Sequence, residues 1–554
     1  MLAPGLRRHL AAVAVATTLP GWAVLRPALA ARAADYAQFS DQAVLEMQVL
    51  HATRAIHLLG PYSRYHFNHP GPLFFYLMAP LYALSGHASR SVWLSVWLLQ
   101  MASQAGVVMV VGRIAGRIET VLVALLLAWQ TLCIGPENLC DPWGPYVVVL
   151  PFELLAFVSV ALAVGSARLL PLAVFLGSFV VQTDIATFPA ASALLATGVA
   201  CGVGREWFDR SGTMAAPKTW RRAWLSAGFV ALAVAGALWW PAVVEELGGK
   251  PGNLTKLRGF ADDQGRSDLG AAVSAMAEHV TAVLGLDPGY RLHASESAVH
   301  AASRTAMVAA SALFALVPLA GLAAWRKGRA FSASGALVVS GGVAGLLLSG
   351  TRATGPLMSY LFMWTAGIGT LAASVVLAEV LHRAADGVLP FMALGFRERL
   401  DKGVLVGVFA AATVAAFHSR SEILPTPYFY GRPRSEVRGL SDAVEHYLHD
   451  ERLSNPVARV GTEPAWGMMA GVLLELYKDG VPFSVEEAWQ FMFGAHFRPR
   501  RPADVFLVFG DARYEELARD VPGCALLAQS SDTYIFGSPV ADAASQDAFD
   551  DPCP

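Results

Sequence analysis

Charge is scarce in this chain. Only 15% of its 554 residues are Asp, Glu, Lys or Arg, where soluble domains carry roughly 25%. The 41 Lys and Arg nearly cancel the 43 Asp and Glu. No basic field exists to hold nucleic acid, so no such partner is expected. Cysteine is also rare. Cys133, Cys140, Cys201, Cys524 and Cys553 form no C-x-x-C pair, which excludes a zinc ribbon and a thioredoxin-type motif. Neither a Walker A sequence nor a dinucleotide fingerprint occurs. That disfavours an ATP-driven pump and an enzyme using a soluble sugar nucleotide inside the cell. No internal repeat is apparent, against the inverted-repeat transporters.

Apolar sequence is what the chain has in surplus. It is 55% hydrophobic, with a mean hydropathy of +0.46. The surplus falls in long blocks, which defines a polytopic, mainly α-helical membrane protein. A helix needs ~20 apolar residues to cross the ~30 Å hydrocarbon core. On that measure we read eleven crossings, near 10–31, 91–112, 119–136, 145–165, 169–182, 185–203, 223–243, 304–325, 333–350, 357–380 and 403–418. The block 71–86 is apolar but short, with Pro72 and Pro80 inside. It reads as an interfacial or re-entrant helix rather than a span.

Basic residues support that choice, because Lys and Arg mark cytoplasmic loops. With 71–86 not spanning, Arg7, Arg8, Arg113, Arg117, Arg168, Arg205, Arg222, Arg326, Arg329, Arg383 and Arg397 all fall inside. Counting it as a span exports these clusters. The expected location is therefore the plasma membrane, with a cytoplasmic N-terminus and an exported C-terminal region. Arg7-Arg8, an apolar stretch and Ala28-Leu29-Ala30 also fit a cleaved signal peptide. We read a retained first helix; either way residue 35 onward is exported.

The map divides the chain into a transmembrane domain, 1–418, and a tail, 419–554. The transmembrane domain carries two large exported loops, 32–90 and 244–303, the second with an amphipathic helix near 268–285. The tail alternates helix-like and strand-like segments. Leu440–Leu448, Ala465–Lys478 and Ala512–Arg519 read as helix; Val457–Gly461, Val481–Val485, Asp504–Gly510 and Ala525–Phe536 read as strand. That pattern predicts a small α/β domain, most simply one that docks or binds an acceptor.

Ionisable residues beside a membrane are costly and so are functional candidates. The first loop holds most of them. In Phe39-Ser40-Asp41-Gln42-Ala43-Val44-Leu45-Glu46, a helix puts Glu46 about 140° round from Asp41. Ser40 and Asp41 also suit a plain helix cap. A second stretch, Tyr62-Ser63-Arg64-Tyr65-His66-Phe67-Asn68-His69-Pro70-Gly71-Pro72, precedes the interfacial block. Its aromatics suit the headgroup level, and Arg64, His66 and His69 suit a lipid phosphate. His66-x-x-His69 has metal-like spacing, but the Pro-Gly-Pro that follows breaks the helix that would align the rings. Elsewhere, Asp184, Arg352 and the Asp141-Trp143 turn sit between spans, as does Cys140. Arg352 stands out because an exported arginine departs from the positive-inside pattern. Free thiols are expected for Cys133 and Cys140. Glu245-Glu246 reads as solvated, and Asn253-Leu254-Thr255 is a glycosylation sequon.

This arrangement resembles the multi-spanning GT-C glycosyltransferases, a superfamily of protein O-mannosyltransferases, aminoarabinose transferases and actinobacterial cell-wall transferases. Ser40-Asp41-Gln42-Ala43 is similar to the acidic motif after helix one. His69-Pro70-Gly71-Pro72-Leu73-Phe74-Phe75-Tyr76 is similar to the entry of the interfacial helix, and Asp141-Pro142-Trp143-Gly144-Pro145-Tyr146 to an Asn-Pro-Trp-type turn. The likeness covers roughly residues 1–200. Gln42 replaces a second acid found in many members, which weakens the case for a divalent metal; no cofactor is expected. His69 replaces a lysine.

The resemblance implies inverting transfer of a sugar from a polyprenyl-phosphate donor to an envelope glycan, lipid or protein. Asp41 would be the general base and Glu46 a helper that orients the acceptor. Arg64, His69 and Arg352 would hold the donor phosphate. Tyr62, His66, Asn68 and Asp184 would contact substrate. The rival readings are a transporter or flippase of a lipid-linked glycan, and an inactive envelope scaffold. Acids gathered in the exported loops rather than mid-span favour the enzyme.

Overall fold

The computed structural model describes residues 37–388, apart from 135, 209–217, 264–266, 286–302 and 354–356. It also describes 435–518 and 523–539, with isolated positions between 14 and 22. The expected span at 403–418 lies outside the described residues, as does nearly all of that at 10–31.

The first loop opens with α1 (Ser40–Thr53) and continues to a short apolar helix, α2 (Leu73–Leu84). At 1.5 Å per residue, the 12 residues of α2 reach only about 18 Å, too short to span. Its outer side leaves Leu84 exposed while Phe74, Phe75 and Tyr82 are buried, as an interfacial helix requires.

The bundle follows: α3 (Arg90–Ile114), α4 (Arg117–Ile134), α5 (Val149–Ala163), α6 (Leu170–Thr183), α7 (Phe188–Phe208), α8 (Lys218–Gly248), α9 (Asn253–Asp263), α10 (Leu269–Thr281), α11 (Arg304–Arg326), α12 (Ala330–Arg352) and α13 (Ala366–Val388). Among the described residues, eight helical stretches are long and apolar enough to cross a membrane. They coincide with eight of the expected spans; a ninth, at 169–182, is the shorter α6. Apart from Glu153 and Ser159, α5 is apolar, and it is buried at every position, so it is the centre of the bundle. α8 is its opposite, exposing Leu225, Phe229, Leu232 and Trp240. Such a face suits lipid tails.

Two ends of the bundle differ in kind. At one, basic helix ends meet acids from neighbours: Arg329 binds Glu379 and Asp386, each at 2.8 Å, and His382 meets Glu119 at 2.8 Å. At the other, the turns holding Trp143, Asp184 and Arg352 converge on one cavity. Arg329, assigned to the cytoplasm, and Arg352, assigned to the outside, thus lie at opposite ends of α12. Cys133 and Cys140 are buried free thiols.

The tail is led by α14 (Ser435–Asp450) and α15 (Trp466–Lys478). Its five strands are β1 (Pro456–Val460), β2 (Ser484–Val485), β3 (Val505–Gly510), β4 (Ala525–Gln529) and β5 (Tyr534–Pro539), in the order β2-β1-β3-β5-β4. β1 runs parallel to β2 and β3, while β5 is antiparallel to β3 and β4. The strand expected over 481–485 is only two residues long, since Val481 instead closes the end of α15 by bonding to the Leu476 carbonyl.

α1 is clamped between the two parts. Leu45, Val49 and Leu50 belong to the bundle core. Ala43, Val44 and Met47 belong to the core beneath the sheet, with Leu473, Leu507 and Ile535. Close approach here depends on glycine. A Cβ on Gly471 would lie 2.7 Å from the Gln38 carbonyl oxygen, and one on Gly467 would lie 3.2 Å from Ser40. This small-x-x-x-small spacing lets α15 sit flush on the start of α1.

A candidate active site at the foot of the first loop

The described residues enclose a cavity of about 1490 Å3 between the first loop, the bundle and the tail. Asp41 lines it from the first turn of α1. No side chain caps that helix, so Ser40 and Asp41 do not serve as caps. The Tyr62 hydroxyl donates a hydrogen bond to the Asp41 carboxylate. This bond aims the carboxylate into the cavity and ties it to a small antiparallel clasp, Tyr62 opposite Asn68.

Arg64 and Arg352 line the same space, and both are exposed. Arg64 lies over the Tyr65 ring and donates to its hydroxyl at 3.2 Å. Arg258, on α9, joins them and faces Asp262 at 3.8 Å. The second loop therefore contributes a third guanidinium. Sequence reading missed it because attention there went to the helix near 268–285. That helix exists as α10, but it is packed into the bundle through Ala272, Ala275 and Met276.

His69 also reaches the cavity wall. Its Nδ1 accepts the Ile185 backbone N–H at 3.0 Å, which leaves the ring proton on Nε2. Burial pushes its pKa down to about 4. The imidazole is therefore a hydrogen-bond donor through Nε2 rather than a cation. Asp184 caps the next turn by accepting from Ala186 at 3.0 Å. Burial pushes its pKa up to about 6. It lines the cavity beside His69, joined to it through Ile185. His66 lines the cavity too, stacked on Phe491 at 4.2 Å with 3° between the rings.

Two candidates fall elsewhere. Glu46 is fully buried and faces away from the cavity. It accepts from Tyr82 at 2.8 Å and Ser89 at 3.0 Å, and pairs with Lys478 at 2.6 Å. It joins α1, α2 and α15, and cannot touch an acceptor at Asp41. Asn68 is buried in structural bonds. Its side chain donates to Gly60 at 3.3 Å, and its backbone N–H and carbonyl are clasped by Asn253 at 2.9 and 2.7 Å. The same clasp removes the glycosylation reading, since Asn253 is only 4% exposed. Glu245 and Glu246 are not simply solvated. They cap α9, accepting from Asn253 at 2.9 Å and Leu254 at 2.8 Å.

Pro70-Gly71-Pro72 has a local cause. Gly71 lies against the Gln182 side chain, where no Cβ fits. Gln182 in turn accepts from Leu73 at 3.2 Å and donates to the Leu238 carbonyl at 3.0 Å. The first loop is thus bolted to α6 and α8. Asp141 accepts from Trp143 at 2.8 Å, which turns the chain so that Trp143 meets Tyr360 at 4.9 Å. Both rings line the cavity. Among the described residues, no three His, Cys, Asp or Glu side chains are grouped to hold a metal ion.

Four carboxylates (Asp41, Asp184, Asp262 and Glu463), three guanidiniums and an imidazole donor thus share one chamber at one end of an apolar bundle. Such a chamber can accept a proton and stabilise a phosphate.

No family model matches the chain, and no curated protein matches it. Solved structures do. ArnT from Cupriavidus metallidurans bound to undecaprenyl phosphate is similar at a TM-score of 0.57 and 12% identity, over 96% of this chain and 98% of that one. The apo state of the same protein gives 0.53 and 13%, over 93% and 98%. Arabinofuranosyltransferase AftD from Mycobacteria gives 0.43 and 15%, over 97% of this chain and 40% of its own. The chain shares the fold of the ArnT structures.

Proposed function

We propose that the protein is an inverting glycosyltransferase that moves a sugar from a polyprenyl-phosphate donor to an acceptor hydroxyl at the exported face of the plasma membrane. One observation carries the reading: Asp41, aimed by Tyr62, shares a cavity with Arg64, Arg258 and Arg352. The fold supports it, as does the undecaprenyl phosphate named with the similar ArnT structure.

The acceptor oxygen attacks the anomeric carbon from the face opposite the phosphate. A new C–O bond forms as the bond to the phosphate oxygen breaks. The electron pair leaves with polyprenyl phosphate, and the hydroxyl proton passes to Asp41. Arg64, Arg258 and Arg352 stabilise the charge that grows on the leaving phosphate. His69 adds one hydrogen bond from Nε2, without charge. Glu46 acts at a distance by fixing α1 against Lys478.

The test is a panel of polyprenyl-phosphate sugars given to purified protein with cell-envelope acceptors. NMR then reads the anomeric configuration of the product. Transfer with inversion supports the reading. Retention would require a covalent intermediate and would overturn it.

A further inference from the structure

The cavity has a wall that transfer from the donor does not use. Trp466, Trp489 and Phe491 come from the tail and line the same chamber as Asp41. Each ring is half-buried. The planes run nearly parallel: Trp466 to Trp489 at 24° with centroids 6.3 Å apart, and Trp489 to Phe491 at 27° and 6.4 Å. At that spacing they are offset tiles rather than a tight face-to-face stack, and His66 covers one face of Phe491 at 4.2 Å. The run ends at the proposed base, because Phe491 meets the edge of Tyr62 at 6.1 Å, and Tyr62 bonds to Asp41.

We infer that this wall is an acceptor subsite and that the acceptor is a glycan. The inference rests on the transferase reading of the site. A sugar ring has an apolar C–H face that fits the electron-rich face of an aromatic ring, and hydroxyls around its rim that need polar partners. Both are present. Glu463, close to Trp466 in the chain, and Asp262 line the same cavity. A lipid tail would match the flat rings but leave these charges without a use. Arg352 and Asp184 come from bundle turns, while Trp466 and Trp489 come from the tail, so the cation proposed for the donor phosphate and the aromatic wall belong to different parts of the chain. A glycan laid along the tiles would deliver its terminal hydroxyl to the carboxylate.

The experiment needs no donor. Full-length protein in detergent is immobilised and exposed to oligosaccharides released from bacterial cell envelopes by partial acid hydrolysis. A parallel column receives a peptide digest of envelope proteins. Retained sugar and amino acid are then quantified for wild type, Trp489→Leu and Trp489→Phe. Trp489→Leu keeps apolar volume but loses the flat face, and should lower retention at least tenfold. Trp489→Phe restores a flat ring and should recover most of it, which separates stacking from misfolding. Equal retention by Trp489→Leu and wild type would overturn the inference. So would no sugar retained by wild type, or peptide retained in its place. Retention without turnover would uphold the subsite and refute the transferase reading, so the two fail separately.

Discussion

Lys478 should hold the tail to α1 through one buried ion pair, and its removal is the sharpest structural test. Its ammonium lies 2.6 Å from Glu46 and 3.3 Å from Glu475. Glu46 has no exposed side-chain area, while Lys478 keeps 18%. Burial alone would push the Lys478 pKa down; the two carboxylates more than offset it and hold it above its ordinary value. Lys478→Met keeps the packing but leaves the Glu46 carboxylate buried with only Tyr82 and Ser89 as donors. Breaking such a pair from one side costs ~3–5 kcal/mol, and partial exposure of the lysine argues for the lower end. Glu46→Gln leaves the ammonium with Glu475 and should cost less, about 1–3 kcal/mol. The double variant Glu46→Leu/Lys478→Met removes both charges and should recover most of the loss. Thermal unfolding in detergent ranks the variants, and hydrogen exchange on α15 locates the change. The raised lysine pKa places this contribution below pH ~10.4 and loses it as pH climbs through the higher folded value. If Lys478→Met unfolds with wild type, or the double variant falls as far as it does, the latch does not exist.

Three further outcomes follow from the same geometry. Burial pushes His51 and His57 down to about 3 and His69 to about 4. The unfolded chain therefore binds more protons below pH ~6.5. Stability should be full above that and fall towards pH 4, by about 1.4 kcal/mol per pH unit for each such histidine; a flat melting profile across that window would contradict it. Asn253→Ala strips both clasps from Asn68 and should cost about 1–3 kcal/mol for the bonds lost, read as faster proteolysis of the first loop. Arg258→Ala, at an exposed residue, should leave folding intact and raise the KM for donor about tenfold, while an unchanged KM would remove it from the phosphate site.

Much of this was legible before any coordinates. The short, proline-bearing block at 71–86 announced an interfacial helix, and the basic clusters sorted the two ends of the bundle. The 140° between Asp41 and Glu46 was legible, yet the resemblance still made Glu46 a helper that orients the acceptor. What the sequence hid were long-range partners. Glu46 looked solvated or helpful because Lys478 lies 432 positions away, the difference of the two residue numbers. The tautomer of His69 was hidden because nothing local reveals the Ile185 N–H that occupies Nδ1. Asn253 looked like a glycan acceptor because its tripeptide does not show the buried clasp. Trp466, Trp489 and Phe491 were ordinary aromatics of a tail until the fold laid them beside Asp41.

The central claim is that Asp41 takes the acceptor proton. The direct measurement is acceptor-dependent release of polyprenyl phosphate by wild type and by Asp41→Asn, at matched melting temperature. The account predicts a fall of about 10²–10⁴ in rate, with donor KM little changed. Equal rates would contradict it and remove Asp41 from the chemistry.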